Sequence, residues 1–203
     1  MSKTAKQPEK TRIIGCGMIA REILAVQRAG QLDHLDLKCL PAMWHHHPER
    51  IAPGVEKAIN EARAEGFDKI FIAYAECGTM GQLDKVCEKH GVERIEGPHC
   101  FSFYWGNDAF AQAEDEHMTA FLMTDFLCRH FEAFFVKPLG LDRHPELKEM
   151  YFGNYEKLIY LAQTEDPKLE AVARSAAHYL GLAYEYRFTG YGDLVPALNL
   201  TKA

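Results

Sequence analysis

Three cysteines stand where a chain of alternating strands and helices would place reactive groups. Tyr74-Ala75-Glu76-Cys77-Gly78 closes the apolar run Lys69-Ile70-Phe71-Ile72-Ala73 and leads into a helical pattern. Gly15-Cys16-Gly17 repeats the construction after an earlier apolar run, and His99-Cys100 follows Val92-Glu93-Arg94-Ile95. A helix N-terminus presents unpaired N–H groups and partial positive charge, both of which favour a thiolate. A fourth run leads into Trp44-His45-His46-His47-Pro48, and imidazoles in such loops serve as metal ligands and as acid/base groups near neutral pH. Cys16, Cys77 and Cys100 with His99 would form a set of three thiolates and one imidazole, suited to tetrahedral zinc. His46, the central histidine of its run, is the candidate fourth ligand or proton carrier. Glu76, beside Cys77, is the candidate general base or ligand-orienting group.

These assignments compete with plainer ones. Cysteine is often a small buried hydrophobe, and neither CxxC nor HxxxH spacing fixes a ligand set here. Three cysteines at strand ends, each beside Gly or His, favour function over coincidence. Cys39, Cys87 and Cys128 lie inside regular elements and are read as core. Glu76 is equally readable as a solvated loop carboxylate, and Tyr74 and the aromatic cluster Phe101, Phe103, Tyr104 and Trp105 as packing residues. An iron–sulfur cluster is the alternative cofactor, since thiolates are its usual ligands. A metal-free Cys77 nucleophile is a further reading. Gly15-Cys16-Gly17-Met18-Ile19-Ala20 also matches the dinucleotide fingerprint G-x-G-x-x-A. That fingerprint expects an acidic residue closing the second strand, where this chain has Cys39-Leu40-Pro41-Ala42. The glycines are therefore read as permitting close backbone approach.

The elements that must position these residues follow from periodicity. Short apolar runs at Thr11–Cys16, Leu35–Leu40, Asp68–Ala75, Val92–Ile95, Leu158–Ala162 and Leu182–Phe188 predict strands, the last of them at an edge. Helical spacing predicts helices over Met18–Ala29, Pro48–Gly66, Gly81–His90, Pro145–Tyr151 and Pro167–Leu180, with a last turn from Asp193 to Leu198. The aromatic-rich stretch Phe101–Phe135 reads as helix, with Phe121, Leu122, Phe126 and Leu127 on its apolar face. The fold class predicted is α/β: a layered, mostly parallel sheet flanked by helices, with a helical insert around residues 101–150. The expected organisation is a flexible leader over 1–10 and a single domain over 11–203. If the first four strands are parallel, all four chemical features share one sheet edge.

Composition narrows the partners. A net charge of −6 over 203 residues argues against nucleic acid or an anionic membrane as the main partner. No apolar run approaches the roughly 20 residues that span a bilayer. Met1–Lys10 is polar and Lys-rich without an apolar segment, so a cytoplasmic setting with six reduced cysteines is expected. A small-molecule substrate is the expected partner, and a homo-oligomer is compatible with this composition.

Several separated motifs also occur in a familiar order: Ile13-Ile14-Gly15-Cys16-Gly17, Leu40-Pro41-Ala42 with a following His and Pro48-Glu49, Tyr74-Ala75-Glu76-Cys77-Gly78, Pro98-His99-Cys100, and Tyr151-Phe152-Gly153-Asn154-Tyr155. In these the chain resembles the domain-of-unknown-function family numbered sixteen thirty-eight, over Thr11 to about Leu198. The resemblance carries no activity with it. It implies company with corrinoid-dependent methyltransferases and their corrinoid proteins, since family members often accompany them. A zinc–thiolate site fits methyl transfer, because a metal deprotonates a coordinated thiol. Two functions follow as expectations: a zinc enzyme of corrinoid-linked methyl or one-carbon metabolism, or a non-catalytic accessory protein that binds a corrinoid or a corrinoid protein.

Overall fold

The structure, a computed structural model, describes residues 10–200. The expected leader lies outside the described residues except for Lys10, as do residues 201–203 of the tail. The chain divides into two compact units, residues 1–100 with 194–203, and residues 101–193, where a single domain was expected.

The first unit is built on a parallel sheet in the order β2-β1-β3-β4, from β1 (Thr11–Cys16), β2 (Leu35–Leu40), β3 (Lys69–Ala73) and β4 (Glu93–Arg94). Its helices are α1 (Ala20–Ala29), α2 (Ile51–Ala64) and α3 (Gln82–His90). Strand β3 is almost wholly buried, as its uninterrupted apolar run requires of a central parallel strand. Helix α2 presents Ile51, Val55, Ala58, Ile59 and Ala62 to a core shared with Ile14, Ile70, Ile72, Tyr74 and Leu83. The sheet order has one consequence for function. The connection leaving β1 runs through α1 to β2 on one side, and that leaving β3 runs through α3 to β4 on the other. Neighbouring β1 and β3 thus form the topological switch point, outside whose carboxyl ends α/β sheets leave a crevice for ligands.

The second unit holds a separate parallel sheet in the order β5-β6-β7, from β5 (Ala120–Thr124), β6 (Lys157–Ala162) and β7 (Ala183–Phe188). Its helices are α4 (Cys100–Trp105, entering from the first unit), α5 (Asn107–Gln112), α6 (Glu114–Met118), α7 (Asp125–Arg129), α8 (Leu147–Phe152) and α9 (Pro167–Leu180). Helix α10 (Leu194–Leu200) returns to the first unit, against α1. The α/β class with parallel sheets is as predicted, and β7 is an edge strand. The helical insert is not: Phe121 and Leu122, assigned to a helical face, belong to strand β5. A five-residue strand covered on both faces has no period of two, and Thr124 passes directly into α7 as its N-cap, with no Gly or Pro to mark the change. Among the described residues no helix is long and apolar enough to cross a membrane.

Candidate functional site

Register brings the first two groups together. Gly15 of β1 pairs with Ala73 of β3, so Cys16 and Tyr74 are the next residues outward on adjacent strands at the switch point. Both side chains belong to the face that packs against α2 and α3. The Tyr74 ring is 2% exposed, and its hydroxyl is buried. Tyr74 and Cys16 influence each other as a phenol donating toward a sulfur would, yet the contact falls short of a hydrogen bond of ordinary geometry.

Cys77 reaches the same place from the loop after β3. Its φ is +52°, a left-handed conformation that costs a residue bearing a β-carbon about 1–2 kcal/mol. The turn is held by its neighbours. Glu76 N–H donates to the Gly97 carbonyl at 3.0 Å and Cys77 N–H to the Pro98 carbonyl at 2.7 Å. The Glu76 carboxylate accepts from Gly78 N–H at 2.8 Å, Thr79 Oγ1 at 2.7 Å and Gly81 N–H at 3.1 Å. Partial burial works against its ionisation, but these three donors and Arg94 outweigh that and hold its carboxyl below the ordinary value. Glu76, expected as a general base or orienting group, is thus an ionised clamp on the Cys77 turn. Its proton affinity is lowered, the opposite of what a base needs.

The histidine loop is set by two glycines. A β-carbon on Gly17 would stand 2.8 Å from the Leu40 carbonyl oxygen and 3.0 Å from Ala42 N, so the backbone leaving β1 lies against the backbone leaving β2. The first glycine of the fingerprint lies under α1, where a β-carbon would meet Ile23 Cδ1 at 2.9 Å. Packing therefore accounts for both. Trp44 lies over Gly54 of α2 and pins the far side of the loop. Pro48 sits 3.5 Å from where a β-carbon of Gly78 would be, which places this loop beside the Cys77 turn. Within it, the His45 and His46 rings meet edge-on at 5.2 Å, while His47 Nδ1 lies 3.3 Å from Glu49. Crowding by surrounding protein, then repulsion from His46 and His99, push the His45 imidazole below its ordinary value. The His45 residue as a whole remains exposed. At neutral pH His45 is an uncharged imidazole with a lone pair to offer.

The thiols are the more perturbed groups. Burial pushes Cys16 up to about 11, outweighing the Met18 backbone and Tyr74, which favour the thiolate. Burial, then the charge of Cys16, pushes Cys77 up to about 12. Each residue keeps some solvent contact, but each sulfur lies in dense surroundings. Cys39, expected in the core, is exposed on edge strand β2, within electrostatic reach of Cys16 and Tyr74; Cys87 and Cys128 are buried as expected.

The predicted residues therefore fall into two neighbouring groups. Cys16 and Cys77 both pack against the core cluster that holds Tyr74, and His46 and His99 lie within electrostatic reach of His45. Cys100, half-buried, opens α4 directly after His99. Among the described residues no three Cys, His, Asp or Glu side chains converge as they stand into a group that could hold a metal ion. The donor chemistry still fits a soft divalent cation, with two thiols that need a cation to ionise and the neutral His45 imidazole one loop away. From sequence alone Tyr74 reads as a packing residue and His46, not His45, as the candidate within the histidine run. The signal for Tyr74 was available, since it stands at the end of β3 as Cys16 does at the end of β1.

The family model described as "Protein of unknown function (DUF1638)" matches residues 39–198. The chain belongs to this family. The DUF1638 match takes in the histidine loop, Cys77, His99 and Cys100, while Cys16 and the first strand precede it. No curated protein and no solved structure matches the chain.

Proposed function

We propose that this member of the DUF1638 family is a zinc-dependent enzyme of methyl or one-carbon transfer in the cytoplasm, acting on a small-molecule substrate. Cys16 and Cys77 are its primary ligands, with His99, His45 and Cys100 as the nearest further donors. The observation that carries this reading is the packing of Cys16 and Cys77 against one core cluster with Tyr74, at the switch point of the first sheet. Zinc there would supply Lewis acidity and stabilise thiolates.

The chain's own residues do the rest. The Glu76 clamp holds Cys77 in a conformation the backbone would not choose, and strain at a thiol is commoner at functional sites than elsewhere. His46, exposed and edge-on to His45, can carry a proton between the site and solvent. Raised thiols count against a metal-free nucleophile, because little thiolate would be present at neutral pH. The association of family members with corrinoid methyltransferases supplies the reaction class and makes a corrinoid protein the expected methyl-group partner.

Metal quantification after anaerobic purification tests this proposal. Wild-type protein is expected to carry near-stoichiometric zinc, and Cys77→Ala protein to lose it. Iron with acid-labile sulfide would replace zinc by a cluster. A metal-free wild-type protein that also fails to take up added zinc would sink the proposal.

A further inference from the structure

Strand β7 ends its sheet and, among the described residues, is paired on one side alone. Ala183 N–H donates to the Glu156 carbonyl at 3.1 Å and Thr189 N–H to the Ala162 carbonyl at 3.0 Å. By the alternation of a strand, Glu185 and Arg187 likewise turn their backbone groups toward β6, while Tyr184, Tyr186 and Phe188 turn theirs away. The result is an open row of donors and acceptors. Proteins ordinarily blunt such an edge by shortness, by lysine or proline, by a bulge, or by covering it. The other sheet edges conform: β4 is two residues long, β2 carries Lys38, and β5 is largely buried. Strand β7 does not. Ala183-Tyr184-Glu185-Tyr186-Arg187-Phe188 contains no Pro, Gly or Lys and runs in unbroken register with β6. Its aromatic side chains remain in solvent, with Tyr186 38% and Phe188 54% exposed.

The charges on this edge select its occupant. Two copies of β7 related by a twofold axis would pair antiparallel, with outward-facing residues against outward-facing residues. Centring that pairing on Glu185 sets the carboxylate opposite its own copy, and centring it on Arg187 does the same to the guanidinium. Like charges directly opposite are destabilising. Centring on Tyr186 instead sets Glu185 opposite Arg187 and Tyr184 opposite Phe188, in both directions. Glu185 and Arg187 then occupy non-hydrogen-bonded pairs, where facing side chains stand closest. Within one chain these two already share a face, joined at 2.6 Å. The strand is thus complementary to itself in one register and repelled by its own charges in the registers on either side.

We propose that β7 is a homodimer interface: two copies pair β7 to β7, antiparallel and centred on Tyr186, joining their sheets into one. The interface lies in the second unit and does not depend on the zinc reading.

Sedimentation equilibrium of the full chain is expected to give twice the mass of one chain. Glu185→Arg and Arg187→Glu each set like charges opposite and should be monomeric alone. Mixed, they set Arg against Glu at both pairs and should form a heterodimer. Both substitutions also disturb the ion pairs within a chain, so a cross-link provides a second measurement. Residue 186 faces its own copy with Cα atoms about 5.5 Å apart, inside the range a disulfide spans. In a Cys39→Ser background, which removes the exposed cysteine, oxidation of Tyr186→Cys protein should give a covalent dimer. Met150→Cys, at a position 65% exposed elsewhere on the same unit, should not. A monomeric wild-type protein would leave the edge to a strand of some other chain and overturn the proposal. A wild-type dimer that gives no Tyr186→Cys cross-link, or folded charge variants that stay dimeric alone or monomeric when mixed, would overturn it as well.

Discussion

The backbone N–H of Cys77 donates to the Pro98 carbonyl at 2.7 Å, tying the turn after β3 to the loop that carries His99 and Cys100. With the neighbouring bond from Glu76 N–H to Gly97 O, it does the work of a longer β4, which is only two residues long. The strand ladder ends early, and two loop hydrogen bonds continue its register outward toward the candidate residues His99 and Cys100.

Cys77 adopts its left-handed φ of +52° at a cost that glycine would not incur. Cys77→Gly protein should therefore be more stable than Cys77→Ala protein, by about 1 kcal/mol, while both lose bound metal. Urea unfolding followed through Trp44 in a Trp105→Phe background reads the first unit alone. Equal stabilities would mean that the turn relaxes freely and that its conformation is not imposed by the Glu76 clamp.

Gly17 meets backbone atoms of Leu40 and Ala42, which cannot rotate aside as a side chain could. Gly17→Ala should displace the histidine loop and cost about 1–3 kcal/mol, the range typical of overpacking. Trp44, which anchors that loop over Gly54, should report the displacement as a change in emission wavelength, with zinc affinity falling in parallel. Unchanged Trp44 emission would show that the loop does not depend on this approach.

Most of the first unit was legible from sequence, because each of its strands ends in a chemical punctuation mark. Gly17, Pro41 and Gly78 bound apolar runs too short for helices, and α2 carries an apolar stripe that permits one reading. The shared edge followed from parallelism alone. Grouping within that edge was not legible, since it depends on strand order and register. The order β2-β1-β3-β4 places Cys16 next to Tyr74, and no spacing in the chain encodes that neighbourhood. In the second unit, β5 was hidden because Phe121, Leu122, Phe126 and Leu127 mimic a helical stripe across a strand–helix junction.

Glu185 on β7 accepts from Lys157 Nζ at 2.7 Å and from Arg187 Nη2 at 2.6 Å, and both cations also reach Glu116. Partial burial opposes ionisation of Glu185, but the two cations outweigh it and hold the carboxyl below its ordinary value of 4.5. A depressed folded value means that the unfolded chain takes up the proton first as pH falls. The stabilisation is therefore complete at neutral pH and lost as pH falls below about 4.5. The difference in melting temperature between wild-type and Glu185→Gln protein should be flat above that point, shrink below it, and diminish in high salt. Trp105, whose ring lies under Arg187 at 3.8 Å, is the reporter in a Trp44→Phe background. A difference that grows on acidification would refute the assignment.

Asp125 stands at the carboxyl end of β5 as Cys16 does at the end of β1, yet its surroundings assign it a different role. It is fully buried, and its carboxylate accepts from Tyr160 O–H at 2.7 Å, Gln163 N–H at 3.0 Å and the Thr164 hydroxyl, with Arg129 Nη2 at 3.5 Å. Its own N–H donates to Gln163 Oε1 at 2.8 Å, which closes a network across the ends of β5 and β6. Each carboxylate oxygen is already engaged by the protein, so the group is a brace between strand ends. Asp125→Ala would strand the Tyr160 hydroxyl and leave Arg129 without its carboxylate partner, a loss of about 3–5 kcal/mol for a broken buried pair. Asp125→Asn keeps one acceptor oxygen but sets an amide against the donors of the other, either Tyr160 and Gln163 or Thr164 and Arg129, and should fall between Asp125→Ala and wild type. Urea unfolding through Trp105 measures these losses, and zinc content should be unchanged in both variants because the network lies wholly in the second unit. Near-wild-type stability of Asp125→Ala protein would mean that Asp125 is held for another purpose and is not a brace.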